Sequence, residues 1–403
     1  MYIFFLGGMF LKSDYRNIIE NSKGSVQNAA DVLQKKYLDG FCNSLAVKEI
    51  QVINLPYIGS YPLYYKMLNY HSTNCFKDSY KIKVNNSGFC NLMIYKNISR
   101  FLKSFINSFK ILKKYKDVSE EKIFFTYAMH LPFLLSIFIL KKLFSEIKFI
   151  VIVPDLPEFM TNRKGFVAVF YNFFAKISYF IVNRMDGVVV LTEQMKNKFS
   201  DNLKKIVIEG IASTSDFDEL SNINKSKEKF FLYSGTLDNR YGLKDLIDSY
   251  SKVSLEYNIK LYICGEGPDK KTVIQATKNN PNIKYLGSLP RNEVLILQKQ
   301  AILLINPRND KNEFTKYSFP SKVLEYMSSG TPVLMYKLSG IPVEYFQYVY
   351  TIEDNVNSFT EMLIKISNLD SETLSEKGKL AKKFVEDYKN PTAQVAKILH
   401  DLG

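Results

Sequence analysis

The segment SFPSKVLEYMSSGTPVL, from Ser318 to Leu334, carries more structural information than any other stretch of the chain. Its spacing predicts a loop, a helix from about Ser321 to Ser328, a terminating glycine at Gly330, and Thr331-Pro332 leading into a buried strand. Backbone N–H groups at the start of such a helix lack intrahelical partners and attract anions, and Lys322 adds a positive charge beside them. Glu325 lies one turn further on and shares a helix face with Ser321 and Lys322. A carboxylate there suits a ribose, because it accepts hydrogen bonds from two neighbouring hydroxyls.

Outward from this segment, short β-branched and aromatic runs alternate with longer stretches of helical period, the pattern of βα units feeding a parallel sheet. Two series are present. The first predicts strands at Tyr2–Leu6, Glu49–Asn54, Lys122–Thr126, Lys148–Val153, Gly187–Leu191 and Lys205–Ile208. The second predicts them at Phe230–Ser234, Lys260–Cys264, Ile283–Leu286, Ala301–Asn306, Pro332–Tyr336 and Val349–Thr351. Between them the polar stretch from Ile211 to Lys229 lacks periodicity and reads as a linker. A length of 403 residues suits two domains.

A net charge of +14 implies attraction to something anionic: nucleic acid, a membrane surface or a phosphorylated substrate. No nucleic-acid recognition motif accompanies the charge and tryptophan is absent, which argues against nucleic acid. Cys42, Cys75, Cys90 and Cys264 form no CxxC pair and no metal-spaced cluster, so a reducing cytosol is the expected setting. MYIFFLGGMFL reads as a buried first strand rather than a signal peptide, and the ten-residue apolar run Leu131 to Leu140 is too short to span a bilayer. From Lys96 to Lys116 there are seven basic residues and no acidic one. At 100° per residue, Ile98, Phe101, Phe105, Phe109 and Leu112 fall on one side and Lys96, Arg100, Lys103, Lys110 and Lys114 on the other. The expectation is a helix with a buried apolar stripe and a solvated basic face, able to meet anionic lipid.

The 318–334 segment resembles the donor-site signature of glycosyltransferase family 4, whose members transfer sugars from nucleotide donors with retention at the anomeric carbon. FFLYSGTL (230–237) followed by YGLKDLI, LYICGEGP (261–268) and IKYLGSLPRNEV (283–294) resemble successive strand-and-turn units of that family's C-terminal domain. FLGGMF and NSKGSVQNAADVLQ resemble the opening of bacterial members that assemble capsule, exopolysaccharide or O-antigen. The resemblance spans nearly the whole chain and is weaker before Lys148. It implies the GT-B fold: two Rossmann-like α/β domains facing each other across a cleft. The expected division is 1–212 for the acceptor domain, 213–229 for the linker, 230–385 for the donor domain, and 386–403 for a C-terminal helix returning to the first domain. The implied donor is a nucleotide sugar, UDP-linked, and the implied acceptor a saccharide or lipid-diphosphate-linked saccharide at the inner face of the cell membrane. Neither a cofactor nor a metal is expected.

Carried over by position, Ser318, Phe319, Pro320, Ser321, Lys322 and Glu325 are donor-binding, Glu325 matching the second glutamate of the family's E-x7-E motif. The first is missing: Tyr317 stands there, and Glu313 has the wrong spacing. Thr236 and Tyr241 occupy the places of a usual arginine and lysine, leaving Arg240 beside them as a candidate for the diphosphate. Gly235 and Gly265, with Gly267 near, and Gly7 and Gly8 in the first domain, follow strands where missing side chains let backbone approach phosphates. Asp155 in KFIVIVPDLPEFM follows a strand, where open parallel sheets bind ligands. It is the leading candidate to orient or deprotonate the acceptor hydroxyl, with Glu158 the weaker alternative. His130 follows another strand and is a further catalytic candidate facing the cleft, as is Glu325, while His130 reads equally as a packed core residue. Asp216-Phe217-Asp218 is formally a DxD but lies in the linker, so a metal role is not expected. Rival readings are a nucleotide-sugar epimerase of the same architecture and a non-catalytic membrane-associated protein. The incomplete glycine pattern at Phe4–Gly8 disfavours a dehydrogenase.

Overall fold

A computed structural model describes residues 1–24, 26–71, 81–159, 166–212, 215–220, 222–223, 225–253, 256–353 and 358–403. Cys75, Met160, which ends the Asp155 motif, and positions 213, 214, 221 and 224 of the expected linker lie outside the described residues. The chain divides into two compact units, Met1–Ile211 with Pro391–Gly403, and Ala212–Asn390.

In the first unit the strands are β1 (Tyr2–Gly7), β2 (Glu49–Asn54), β3 (Asn69–Tyr70), β4 (Ile82–Asn86), β5 (Phe89–Cys90), β6 (Lys122–Tyr127), β7 (Lys148–Val153), β8 (Gly187–Val190) and β9 (Lys204–Val207). The helices are α1 (Lys12–Asn21), α2 (Asn28–Asn43), α3 (Met93–Lys114), α4 (Leu131–Leu143), α5 (Phe166–Val182) and α6 (Glu193–Lys196). Seven strands form one parallel sheet in the order β4-β2-β1-β6-β7-β8-β9, while β3 and β5 make a small antiparallel ladder. Central strands such as VIVP-type runs are apolar on both faces because helices cover both sides. On one face the core joins Ile3, Phe5, Phe125 and Ile152 to Tyr37 and Phe41 of α2 and to Val395, Ile398 and Leu402 of the chain's last helix. On the other face α3 packs on α4, and α4 on α5. The sheet grows leftward from β1 and rightward from β6, so the chain reverses its direction of winding between those two strands.

In the second unit, α7 (Ser215–Asp218) is followed by β10 (Phe230–Ser234), α8 (Leu243–Val253), β11 (Lys260–Cys264), α9 (Lys270–Asn279), β12 (Ile283–Gly287), α10 (Arg291–Gln300), β13 (Leu303–Asn306), α11 (Ser321–Ser328), β14 (Val333–Tyr336), β15 (Tyr350–Ile352), α12 (Ser358–Ser367) and α13 (Ser371–Tyr388). Its six parallel strands run β12-β11-β10-β13-β14-β15, with the reversal between β10 and β13. Phe231, Leu261, Ile305, Leu334 and Leu363 belong to its core. The last helix, α14 (Pro391–Leu402), belongs to the first unit, where it packs along α2. The C-terminal helix expected at 386–403 starts at Pro391, because proline cannot supply the N–H that would continue the ladder of α13.

One expectation is corrected in part. In α3 the buried positions are Lys96, Arg100, Ser104, Ser108, Ile111 and Leu112, while Ile94, Ile98 and Leu102 are exposed. Lys96 and Arg100 are thus not on a solvated basic face, whereas Lys103, Lys110 and Lys114 are exposed. The reason is polar demand from the loop after β2. Arg100 Nη2 donates to Leu55 O, and Lys96 Nζ donates to Ile58 O and, at 3.4 Å, to Ser60 Oγ. Buried carbonyls need donors, and the long basic side chains supply them. The guanidinium of Arg100 also lies 5.0 to 5.1 Å from the ring centroids of Tyr57, Phe89 and Phe133, and aromatic faces offset part of its desolvation. Among the described residues no helix is long and apolar enough to cross a membrane.

Candidate functional site

Ligands of open parallel sheets bind at the carboxyl ends of the strands where the winding reverses. In the second unit that point lies between β10 and β13, and the residues following each strand build it. After β10 comes Gly235-Thr236, and after β11 comes Gly265. Gly265 has φ +137°, and a methyl group on it would sit 1.8 Å from Gly235 O, so the two turns stack backbone on backbone with no room for a side chain. Gly235 is also close to Lys322: a methyl group there would lie 3.3 Å from Lys322 Cε. Thr236 is exposed, its carbonyl accepting from Tyr233 Oη at 2.6 Å.

Helix α11 begins directly over these turns. Pro320 occupies its N-cap and offers no capping side chain, so the amides of Ser321 and Lys322 retain the free donor capacity of a helix start. The helix is tied to β10 by Tyr326, whose hydroxyl accepts from Ser234 N and donates to Ser234 O, each at 3.0 Å. Phe319 is buried against Tyr345, at 5.5 Å between centroids, and anchors the preceding loop rather than lining its surface.

Glu325 sits one turn into α11. Its Oε1 accepts from Gln298 Nε2 at 2.7 Å and its Oε2 from Arg291 Nη1 at 3.2 Å, with Lys322 Nζ 4.0 Å away. Burial alone would raise its carboxyl, but Lys322, Gln298 and Arg291 outweigh it and hold the group below the ordinary glutamate range. The same charges act on Cys264, whose thiol is pushed up to about 11 by burial, with Lys322 opposing and Glu325 adding. Arg291 reaches on to Asp216 at 2.6 Å, and Asp218 faces Lys382 at 3.8 Å, so both aspartates of the DxD face cations.

Arg240 stands in the 3-10 turn Asn239–Tyr241 that precedes α8, but its guanidinium is clamped by the carboxylate of Asp238 at 2.6 to 3.1 Å. Sequence reasoning missed Arg308, two residues past β13. It is buried, lies over the rings of Tyr241 and Phe314, and donates to Ser318 Oγ at 3.4 Å. Its Nε and Nη2 have no partner among the described residues. Gln298 and Arg291 of α10 were missed as well: Arg291 stands in the 283–294 segment but was given no role there, and Gln298 lies beyond it. Tyr317 ends a short 3-10 turn, Glu313–Tyr317, and Glu313 at its start is exposed.

In the first unit the winding reverses between β1 and β6. Gly7 and Gly8 follow β1, yet the amides of Gly8, Met9 and Phe10 donate to Gln34, Asn54 and Asp31 at 2.7 to 2.8 Å. The expectation that this turn offers free backbone to phosphates is corrected: protein side chains already hold its donors, and Gly8 is required by the ring of Tyr57, 2.7 Å from where a methyl group would sit. His130 is wedged beside Tyr57 and Phe133, at 5.7 and 4.7 Å between centroids. Desolvation, then Arg100 and Lys96, hold its imidazole well below the usual range, so it is neutral and a weak base at neutral pH. Ala128, just after β6, has φ +66°, a conformation that non-glycine residues rarely adopt. Asp155 follows β7 and is open to solvent, while the surrounding protein raises its carboxyl by desolvation. Water reaches the group, so the open side limits the penalty on its charged form. Glu158 is taken up by Tyr179 Oη at 2.8 Å and Lys198 at 3.2 Å.

Comparison with known proteins follows the same lines. Residues 216–386 match the family model described as Glycosyl transferases group 1. N-acetyl-alpha-D-glucosaminyl L-malate synthase of Bacillus anthracis is 25% identical over 118 residues, which is 28% of this chain and 29% of that relative. Sucrose-phosphate synthase from Thermosynechococcus elongatus superimposes with a TM-score of 0.63 at 12% identity, covering 99% of this chain and 98% of that one. A TarM variant from S. aureus, solved with fondaparinux, alpha-GlcNAc-glycerol and UDP, gives a TM-score of 0.53 at 16% identity over 79% of this chain and 60% of its own. The fold is GT-B, with two Rossmann-like domains. The family match falls within the second unit, and the chain spans under a third of the length of the curated Bacillus anthracis relative.

Proposed function

We propose that the chain is a retaining glycosyltransferase that moves a sugar from a UDP-linked donor to a saccharide carried on a lipid diphosphate, in the assembly of a bacterial surface polysaccharide. The observation that carries this reading is the start of α11, where two free amides, Lys322 and Glu325 meet the stacked turns at Gly235 and Gly265. The amides and Lys322 receive the diphosphate, and Arg308 lends its unpartnered donors from the loop that also carries Ser318. Glu325, kept ionised by its neighbours, accepts from the ribose hydroxyls; each oxygen has a lone pair left after Gln298 and Arg291 are served. Positive groups at the diphosphate stabilise the charge that develops there as the bond between the sugar's anomeric carbon and the phosphate oxygen breaks. The acceptor oxygen bonds to the same face of that carbon, and its proton passes to the departing phosphate. On this reading no protein nucleophile and no metal is required, and the acceptor belongs to the first unit, where Asp155 orients its hydroxyl. The UDP and sugar ligands of the TarM variant are in keeping with such a donor and acceptor.

Binding of a panel of nucleotide sugars, followed by transfer to lipid-linked saccharides, tests the assignment. Glu325→Ala raises the donor Kd by at least about tenfold, equivalent to about 1.4 kcal/mol. An unchanged Kd in that variant removes Glu325 from the donor site. Epimerisation of the nucleotide sugar without any acceptor overturns the transfer reading.

A further inference from the structure

The burial of Lys96 and Arg100 leaves Ile94 and Ile98 of α3 on a surface that glycosyl transfer does not use. Helices α3, α4 and α5 lie side by side over one face of the first sheet. Each turns an apolar stripe outward. On α3 it is Ile94 and Ile98, 69% and 52% exposed; on α4, Leu143 at 54%; on α5, Val169 and Phe173 at 64% and 58%. The stripes repeat at helical spacing, with Leu102 continuing α3 and Leu135 and Ile139 continuing α4. Exposed apolar groups of this number on adjacent elements are characteristic of a surface that meets another apolar phase.

The charge of the same helices identifies that phase. The sequences of α3, α4 and α5 contain no aspartate or glutamate, while Lys103, Lys110, Lys113, Lys114, Lys142 and Lys176 are exposed on them. A second copy docked on this face would bring two sets of lysines together with no carboxylate on any of the three helices to offset them. An anionic lipid surface satisfies both features, since acyl chains receive the apolar stripes and headgroup phosphates receive lysines that extend along them. We infer that the first unit lies on an anionic lipid surface through the outer face of α3, α4 and α5, with Ile98 and Phe173 inserted below the headgroups and the lysines pairing with lipid phosphates. This attachment stands independently of the reaction performed.

The test is sedimentation of the full chain with phosphatidylcholine vesicles, with and without roughly a third of phosphatidylglycerol. The expected result is binding to the anionic vesicles that weakens with salt but is not abolished, because the apolar contribution is not screened. Phe173→Glu and Ile98→Glu each reduce the bound fraction at least about tenfold, with donor affinity and thermal melting unchanged, since both residues are exposed. Lys103→Glu with Lys110→Glu moves binding in the same direction and weakens its salt dependence. No sedimentation of the wild type with anionic vesicles overturns the inference, as does binding that Phe173→Glu and Ile98→Glu leave intact. So does a concentration-dependent dimer that those substitutions abolish in the absence of lipid binding, which makes a second copy the occupant.

Discussion

Arg308 is a cation with more donors than acceptors. It is 6% exposed, rests on two aromatic rings, and leaves Nε and Nη2 unpartnered among the described residues. Burial lowers its pKa, with Tyr241 and Asp310 pulling the other way. Leaving buried donors unmade costs about 1–3 kcal/mol, which a bound diphosphate would return. Arg308→Met therefore separates binding from folding. Donor affinity measured by calorimetry falls at least about tenfold, while the melting temperature of the free protein is unchanged or higher because the unmet donors are gone. A lower melting temperature with unchanged donor affinity makes Arg308 a brace for the Ser318 loop instead. Glu325 differs: Gln298 and Arg291 already serve it, so it is held in place before ligand arrives.

At the scale of elements, α3 shows where physical reading of a sequence runs out. Lys96 and Arg100 are buried because loop carbonyls at Ile58 and Leu55 need donors, a demand set about forty residues away and absent from the helix's own periodicity. Burial, then Arg100, pushes the Lys96 ammonium down to about 7. An unfolded lysine titrates near 10.4, so between about 7 and about 10 the unfolded chain holds more protons and stability rises with pH. Lys96→Met flattens that rise. The measurement is denaturant unfolding at successive pH values, compared between wild type and variant; parallel curves would show that Lys96 titrates normally. The central strands, by contrast, were legible, because β1, β7, β10 and β13 are continuous apolar runs that only a doubly covered sheet can bury. Edge strand β4 was not: in IKVNN only the alternate residues Ile82, Val84 and Asn86 are buried, and lysine and asparagine interrupt the run. The start of α11 was legible for a related reason, since one contiguous segment supplies Ser321, Lys322 and Glu325. Arg291, Gln298 and Arg308 come from α10 and the loop after β13, and only folding brings them to α11.

On the scale of the whole molecule, the chain passes between its units twice, at Ile211–Ala212 and at Asn390–Pro391. Each unit keeps its own core: Val395, Ile398 and Leu402 of α14 join the first, while Phe231, Leu261, Ile305 and Leu334 belong to the second. Separate cores make separate unfolding events the expectation, visible as two calorimetric transitions. Nucleotide stabilises only the unit that binds it, by about 2.7 kcal/mol at a hundred times its Kd. UDP therefore raises one transition and leaves the other in place. Ile398→Ala acts on the remaining one: the side chain is fully buried, and its loss costs about 2–5 kcal/mol. The expected outcome is a transition lowered by several degrees that is not the one raised by UDP, with donor affinity unchanged. If UDP and Ile398→Ala move the same transition, either the donor site lies with the first unit or the two cores melt as one, and the Glu325→Ala titration then tells those cases apart. Under the first case the substitution leaves donor affinity intact; under the second it lowers it.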